Sequence, residues 1–216
     1  MSVELISITK PEIEGINSAE DLITYCARVS NPDNQLNVST SSNLLKYLIK
    51  HKHWSPFEMV SMCVKIKTSR AIAAQILRHR SFSFQEFSQR YSTATELEEL
   101  HFRKQGKTNR QVGDEEFPLT QHWDTLVHIK EAQRKCLEVY NELIKCGVAR
   151  ECARMVLPLN TSTTLYMSGT IRSWIHYLDL RTSKDTQKEH QIIANDIKKI
   201  FIEKFPAISE ALYVDK

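Results

Sequence analysis

The stretch VSMCVKIKTSRAIAAQILRHR, residues 60–80, contains two hydrophobic periods in succession. Apolar residues occupy every second position from Val60 to Ile66, and this period of two predicts a strand with one buried face. Ser69 is a typical helix N-cap, and the residues that follow it predict a helix over 70–80. A strand that runs directly into a helix indicates a mixed fold of strands and helices.

Outside this stretch, the chain is predicted to be mostly helical. Short extended segments are predicted at residues 3–9 and 161–168. Helices are predicted at about residues 19–29, 43–50, 119–146, 149–156, 170–180, 185–204 and 207–213. Residues 104–118 hold two of the five glycines and no aliphatic cluster, so an exposed loop is predicted there. The predicted fold class is α+β: a helix-rich single domain, residues 1–216, around a small β-sheet.

The size and the glycine spacing of the chain exclude several classes of protein. With 216 residues, 41% of them hydrophobic, the chain can bury one core without disulfides, and a mostly disordered state is excluded. No two glycines lie closer than seven residues, so neither a GxGxxG turn nor a P-loop can be written. A nucleotide bound by this chain must therefore be held by other means.

The cysteines and the N-terminus indicate a reducing compartment. The five cysteines include no CxxC pair, so neither a disulfide framework nor a zinc site is suggested, and no metal is expected. The first residues, MSVELISITK, lack the basic start and apolar run of a signal peptide, and no membrane span is predicted. The protein is therefore expected to be cytoplasmic and to have no membrane partner.

Positive charge is concentrated between residues 65 and 92. This segment contains six Lys and Arg residues against one acid, a net charge of +5 in a chain whose total is +3. Cations beside aromatic rings suit a nucleotide, which combines an anion with a flat ring. Two ordinary interpretations stay open: Arg78 and Arg80 stabilise the end of the predicted helix, and the phenylalanines of the segment pack in the core.

A second basic group lies in the C-terminal half of the chain. Arg172 and His176 are four residues apart and share a helix face, and Arg181 follows them. Crowding these cations with Arg154 is unfavourable unless they share an anion. For His176 alone, packing within the fold is the ordinary interpretation.

Several segments resemble the flavin-dependent thymidylate synthase family. Residues 78–92, RHRSFSFQEFSQRYS, match the family pattern of RHR, seven residues and Ser, which here are Arg78, His79, Arg80 and Ser88. Further blocks are similar and stand in the same order: ARVS at 27–30, HWSPFE at 53–58, ARMVLPLN at 153–160, and Leu180-Arg181 before a polar helix carrying Gln187. The resemblance covers nearly the whole chain.

This resemblance implies the reductive methylation of dUMP to dTMP. Methylenetetrahydrofolate would supply the carbon, NADPH would reduce the flavin, and FAD would carry the reducing equivalents. The resemblance also implies a homotetramer whose active sites are shared between subunits, and a non-Rossmann flavin site, in agreement with the glycine spacing. The expected partners are dUMP, folate and NADPH, and no nucleic acid is expected.

The resemblance further implies which residues bind each ligand. The positions that match FAD contacts are Ser30, Ser55, Arg78, His79, Arg80, Glu86, Thr170, Arg172 and His176. The positions that match dUMP contacts are Gln75, Arg78, Glu86, Phe87, Ser88, Gln89, Arg90, Arg154 and Arg181. The positions that match folate contacts are His53 and Tyr91. The residues expected to take part in catalysis are Arg181, Ser88, Arg78 and His53. Family members often carry Asn where this chain has Gln85, Thr170 and His176.

The residue types indicate how the uracil ring would be activated. No cysteine lies in segments 65–92 or 170–181, so activation by a thiol is not expected. An arginine fork against the O2/N3 edge would stabilise the charge that develops there, and Arg181 is the candidate. Ser88 has no His near it in sequence that would activate it as a nucleophile, which favours an anion-binding role. With Arg90 and Arg154, it would fix the phosphate.

A non-enzymatic, single-strand nucleic-acid binder is the alternative interpretation of segment 65–92. Outside that segment the chain carries a net charge of −2, the difference between the total of +3 and the +5 of the segment. No RRM, KH or OB pattern is visible. Both observations disfavour this alternative.

Overall fold

The computed structural model describes residues 1–93 and 95–214, apart from the side chain of Asp114. The expected domain span of 1–216 also includes Ala94, Asp215 and Lys216, which lie outside the described residues. The strands are β1 (Ser2–Ile8), β2 (Ser61–Ser69), β3 (Ser83–Glu86), β4 (Arg103–Gln105), β5 (Gly113–Glu116) and β6 (Ser162–Thr170). The helices are α1 (Ala19–Ala27), α2 (Ser41–Lys50), α3 (Arg70–Ile76), α4 (Trp123–Lys145), α5 (Arg150–Ala153), α6 (Ile171–Arg181), α7 (Lys188–Lys204) and α8 (Pro206–Tyr213). The helix-rich α+β prediction is confirmed.

The centre of the fold is a four-stranded antiparallel sheet with the spatial order β1-β2-β6-β3. The two central strands, β2 and β6, pair along their whole length. In β2 the side chains of Met62, Val64 and Ile66 are fully buried, and the residues between them are only partly buried. The predicted period of two is therefore confirmed, and it gives the sheet one core face and one polar face.

Both central strands continue directly into a capped helix. The Ser69 hydroxyl accepts a hydrogen bond from the Ile72 N–H at the start of α3, as the sequence predicts. Thr170 does the same for the Ser173 N–H at the start of α6. Because β2 and β6 are antiparallel, the two helices start at opposite ends of the sheet, and both contribute to one hydrophobic core.

Helix α3 is shorter than the predicted 70–80. It ends at Ile76, and two tight-turn hydrogen bonds follow, from Arg78 N–H to the Gln75 carbonyl and from His79 N–H to the Ile76 carbonyl. The chain turns here because Phe82 is buried against Trp174, with ring centroids 4.7 Å apart. Burial of this ring outweighs the helix propensity of the preceding residues. The RHR residues therefore lie in a turn, and Arg78 and Arg80 do not cap a helix.

Phe82 has a close partner in the sheet. A Cβ atom at Gly169 in β6 would lie 2.4 Å from the Phe82 ring, so only glycine leaves room for the ring in this position. Phe84 also packs against the core. The interpretation of Phe82 and Phe84 as core residues is confirmed.

Residues 104–118 are mostly exposed, as predicted, but the prediction of a loop was wrong where β4 and β5 form a β-hairpin. Strands β4 and β5 pair antiparallel within it, although most of its side chains are exposed. Gly113 permits the pairing, because a Cβ there would lie 2.6 Å from the Arg103 Cβ. The hairpin is anchored by Arg103, which forms an ion pair with Glu189 on α7. Sequence alone could not show this partner, which is 86 residues away.

The long helix α4 begins at Trp123, four residues later than predicted, because residues Leu119–Gln121 form a 3₁₀ turn. Its apolar side chains are only half covered: Tyr140 is buried, but Leu126 and Ile129 are partly exposed and Trp123 is 66% exposed. One face of α4 therefore remains open in the single chain. Across residues 1–93 and 95–214, no helix has both the length and the apolar character needed to cross a membrane.

Candidate active site

His79 and Arg181 form the best-defined pair of predicted site residues. Arg181, the last residue of α6, donates its Nε–H to His79 Nε2 at 2.9 Å. Because Nε2 accepts this bond, the neutral His79 ring carries its proton at Nδ1. Among the described residues, the two Nη groups of Arg181 have no hydrogen-bond partner, so they can donate to a ligand. The fold thus joins the RHR turn to a residue 102 positions away.

The surroundings of His79 keep its ring neutral. Burial lowers the pKa of His79 to about 4, and the neighbouring charges of Arg181, His176 and Arg78 act in the same direction. The ring also packs edge-on against Tyr177, with centroids 4.9 Å apart. His79 therefore orients Arg181 without adding a positive charge of its own.

A buried histidine that the sequence analysis did not identify lies beside this pair. His190 on α7 is fully buried; its Nε2 lies 3.1 Å from the Tyr177 hydroxyl and its Nδ1 lies 3.3 Å from Gln75 Oε1. Burial, together with the charge of Arg181 and the nearby His79, lowers the pKa of His190 to about 3. Gln75 in turn donates its Nε2 to Gln187 Oε1 at 2.6 Å. The predicted dUMP contact Gln75 is therefore fixed by two residues at the start of α7.

Unfolding at mildly acidic pH is expected to take up protons at His79 and His190. Both pKa values lie below the value of about 6.5 of an exposed histidine, so both rings are neutral when folded and become protonated on unfolding between about pH 6 and pH 4. Their contribution to stability is complete above that range and is lost as the pH falls through it. At about pH 5, urea unfolding of the wild type should take up about one proton more than unfolding of the His190→Asn variant. The pH change in weakly buffered solution measures this uptake, and equal uptake would show that His190 is already charged in the folded protein.

Glu86 is held by an ion pair with the first residue of α3. Arg70 donates one Nη to Glu86 Oε1 at 2.9 Å and the other to the Phe87 carbonyl at 2.7 Å. The Thr163 hydroxyl donates to the same Glu86 oxygen at 3.0 Å. Burial lowers the pKa of Arg70, Glu86 opposes this effect, and the nearby charge of Arg154 adds to it. Arg70, which the sequence analysis did not assign to the site, thus bonds the predicted contacts Glu86 and Phe87 and lies near the charge of Arg154.

The segment after β3 carries the predicted phosphate contacts. Ser88 and Arg90 are exposed, the Ser88 hydroxyl accepts the Arg90 N–H at 3.3 Å, and the Arg90 side chain lies 3.3 Å from a Glu151 carboxylate oxygen. Gln89 is buried, and its Nε2 has no hydrogen-bond partner among the described residues. A buried donor without a partner suits a ligand oxygen. Tyr91, predicted to contact folate, is 88% exposed.

The positive charge of segment 65–92 is largely neutralised by acidic partners. Four of its six cations form ion pairs with acids: Lys65 with Glu4, Lys67 with Glu96, Arg70 with Glu86, and Arg90 with Glu151. A continuous basic stripe is therefore not formed by this segment. The arrangement does not favour the nucleic-acid-binding alternative.

A cleft of about 830 Å³ lies beside α6 and contains two of the predicted flavin contacts. Arg172 and His176 line it, and Arg172 donates to Glu58 at 2.5 Å. The cleft also contains Trp54 and Lys52. Cationic groups next to an aromatic ring match the phosphates and the flat ring system of a dinucleotide. The acids Glu58 and Asp179 also line the cleft, and Glu58 is paired with Arg172. The cations and the ring of Trp54 supply the groups that FAD needs.

The remaining predicted flavin and folate contacts lie on the surface. Ser30 is exposed after α1, and His53 and Ser55 are exposed after α2. The His53 ring lies 6.0 Å from the Tyr47 ring, and this pair is open to solvent. Thr170 has a structural role as the N-cap of α6, and Arg80 is exposed in the RHR turn.

The predicted site residues form three groups in the single chain. One group is Gln75, His79 and Arg181 with His190; the second is Glu86 to Arg90 with Arg154; the third is the cleft with Arg172 and His176. Among the described residues, no hydrogen bond or ion pair joins Arg181 to Ser88, Arg90 or Arg154. Within the same residues, no three His, Cys, Asp or Glu side chains are grouped as a metal site requires.

Comparisons with known proteins identify the family of the chain. The Thy1 family, described as thymidylate synthase complementing protein, matches residues 13–207. A probable flavin-dependent thymidylate synthase of Paramecium bursaria Chlorella virus 1 is 54% identical over 213 residues, which cover 98% of this chain and 99% of that protein. A flavin-dependent thymidylate synthase of Synechocystis sp. is 51% identical over 98% of this chain and 99% of its own length. A crystal structure of the UMP/dUMP methylase PolB from Streptomyces cacaoi with 5-Br dUMP superposes with a TM-score of 0.80 at 26% identity, covering 99% of this chain and 94% of that chain.

Proposed function

Because the chain belongs to the family of flavin-dependent thymidylate synthases, we propose that it binds FAD and converts dUMP to dTMP, with methylenetetrahydrofolate as carbon donor and NADPH as reductant. The observation that carries the proposal is the Arg181–His79 hydrogen bond. It leaves the Nη donors of Arg181 available for a flat, polar ring edge. In accordance with this, the structural neighbour PolB was crystallised with a dUMP analogue.

The electrostatics of the site support a division of roles among its arginines. Arg181 would donate to the O2/N3 edge of the uracil and stabilise the negative charge that develops as C5 becomes nucleophilic. Ser88, Arg90 and Arg154 would hold the phosphate, helped by the unpartnered Nε2 of Gln89. Fixing the phosphate would hold the ring in one position relative to Arg181.

FAD would occupy the cleft beside α6. Arg172 and His176 would interact with its phosphates, and Trp54 would contact its rings. When bound and reduced, FAD supplies the reducing equivalents that turn the transferred carbon into a methyl group. The residues of the chain would orient the two ligands and exclude water from the space between them.

A homotetramer would bring the separate groups together. His53 and Tyr91, the proposed folate contacts, are exposed in the single chain, and one face of α4 is only half covered. Both observations support active sites that are completed by neighbouring subunits. The purified protein should therefore be yellow and have about four times the mass of one chain by light scattering, and calorimetry should show dUMP binding. A colourless protein that takes up no added FAD would contradict the proposal.

Thiol chemistry is not part of the proposed mechanism. The cysteines of the described residues are free; Cys26, Cys63 and Cys136 are half-buried and the other two are exposed. Burial raises the pKa of both Cys26 and Cys63, which disfavours a thiolate at either position. Replacement of all five cysteines by Ser or Ala should keep turnover per flavin-loaded subunit within about tenfold of the wild type, or about 1.4 kcal/mol of barrier. If one such replacement abolished turnover while FAD and dUMP still bound, activation by a thiol would have to be considered instead.

A further inference from the structure

The start of α7 and the end of α3 are joined by a chain of hydrogen bonds between buried and half-buried side chains. Its members, in spatial order, are Arg103, Glu189, Gln187, Gln75, His190 and Tyr177. Of these residues, only Gln75 matches a ligand contact of the family. Any effect of the other members on a bound nucleotide therefore passes through Gln75.

The carboxylate of Glu189 fixes the direction of every bond in this chain. Burial alone would raise the pKa of Glu189, but hydrogen bonds from Arg103, its own backbone N–H and Gln187 outweigh burial and lower it, so the group is ionised. An ionised carboxylate can only accept hydrogen bonds. Gln187 must therefore turn its NH₂ towards Glu189, at 2.9 Å, and its Oε1 towards Gln75.

The same logic then applies to Gln75 and His190. Gln75 must direct its Nε2 towards Gln187 Oε1, so its own Oε1 faces His190 Nδ1. An amide oxygen only accepts, so His190 carries its proton at Nδ1. Its Nε2 then accepts from the Tyr177 hydroxyl, which burial keeps protonated by raising the pKa of Tyr177. The chain of bonds has one consistent polarity from Tyr177 to Glu189.

We propose that His190 is a positioning residue whose Nδ1–H, together with Gln187 at the other end of the amide, holds the side chain of Gln75 in a single orientation. In this orientation Nε2 uses one N–H for Gln187 and presents the second to an acceptor oxygen of the bound nucleotide. This inference rests on the proposed function, because it takes dUMP as the nucleotide. The reverse orientation of the amide would present an oxygen instead, and would repel the oxygens of a nucleotide.

Two substitutions of His190 separate its hydrogen bond with Gln75 from its hydrogen bond with Tyr177. In His190→Asn, the side-chain NH₂ occupies nearly the position of Nδ1 and can still donate to Gln75, although the bond with Tyr177 is lost. In His190→Gln, the amide reaches the position of Nε2 and can still bond Tyr177, but the donor to Gln75 is lost. The two variants therefore differ mainly in whether the Gln75 amide keeps both of its partners or only Gln187.

The first test is the affinity of both variants for dUMP, measured by calorimetry on the flavin-loaded protein. His190→Gln should weaken dUMP binding about tenfold, the effect of one hydrogen bond, and His190→Asn should remain within about twofold of the wild type. The flavin spectrum and the rate of flavin reduction by NADPH should be unchanged in both. Equal weakening in the two variants, or none in either, would overturn the proposal.

The second test needs no substitution in the protein that is measured. Solid-state ¹⁵N NMR of the ¹⁵N-histidine-labelled wild type reports which nitrogen of each ring carries the proton, and the spectrum of His190→Asn assigns the His190 signals. A proton on Nδ1 and an unprotonated Nε2 are expected, with or without dUMP. A proton on Nε2 would overturn the proposal, whatever the dUMP affinities of the two variants. Failure of the wild type to bind dUMP would instead contradict the proposed function.

Discussion

Replacement of Arg181 by lysine is expected to slow single-turnover formation of dTMP by a factor of about 10²–10³, roughly 3–4 kcal/mol of barrier. Lysine keeps the positive charge but lacks the planar set of donors. In the structure, His79 accepts the Nε–H of Arg181 and thereby orients the two Nη groups. Because the charge on the uracil edge grows as C5 attacks the one-carbon unit, the lost donors matter more in the transition state than in the ground state. Binding of dUMP should therefore fall much less than turnover.

The matched control is Arg90→Lys. The proposed partner of Arg90 is the phosphate, which a point charge can still hold, and its side chain is exposed beside Glu151. This variant should bind dUMP more weakly but convert bound dUMP at nearly the normal rate. Calorimetric dUMP affinity and quenched single-turnover measurements, with NADPH-driven flavin reduction checked separately, distinguish the two patterns. Near-normal dTMP formation by Arg181→Lys would show that Arg181 is only a binding residue, and Arg78 would become the candidate for activation.

Replacement of Arg70 by methionine is expected to lower the free energy of unfolding by about 2–3 kcal/mol. Methionine keeps most of the side-chain volume, so the main loss is electrostatic. The Glu86 carboxylate would be left half-buried with only the Thr163 hydroxyl, and the Phe87 carbonyl would lose its donor. The expected cost is below that of a fully buried pair, because both side chains keep about a fifth of their surface exposed.

A double-mutant cycle separates this ion pair from simple loss of packing. Arg70→Met combined with Glu86→Gln should recover more than half of the loss, because no unpaired charge then remains. Lys65→Met is the matched control: its partner Glu4 is exposed on the same sheet, and breaking that pair should cost less than about 1 kcal/mol. Urea unfolding at one fixed protein concentration measures all five proteins: the wild type, Arg70→Met, Glu86→Gln, their combination and Lys65→Met. Equal costs for Arg70→Met and Lys65→Met would show that the Arg70 ion pair contributes no more than a surface pair.

Local sequence patterns predicted most of the elements of the fold. The alternation in β2 and the cap at Ser69 depend on residues within a few positions of each other, and both are found in the structure. The end of α3 could not be predicted in this way. It depends on the burial of Phe82 against Trp174, 92 residues further along the chain, and on the absence of a Cβ at Gly169. The hairpin at β4 and β5 was missed for a similar reason, since Arg103 finds its partner on α7.

Some residues of the candidate site were predicted from the sequence and others were not. The RHR pattern and the family blocks indicated His79 and Arg181 as site residues, and the structure places them in direct contact. His190 and Arg70 were not identified, because their roles depend on partners that the sequence does not place beside them. A buried histidine in a helix rich in charged residues has the same neighbours in sequence as an exposed histidine would have. The excess of positive charge in segment 65–92 indicated the region of the site. It did not indicate which cations are free to bind a ligand, since most of them form ion pairs with acids.

An anaerobic single-turnover experiment tests the central claim, that this chain makes dTMP with a bound flavin as reductant, most directly. The flavin-loaded protein is reduced with NADPH, freed of excess NADPH, and mixed with dUMP and methylenetetrahydrofolate. We expect one dTMP per reduced flavin, formed at the rate at which the yellow absorbance of the oxidised flavin returns, with tetrahydrofolate as the folate product. Formation of dTMP without flavin oxidation and with dihydrofolate as the product, or flavin oxidation without dTMP, would contradict the account.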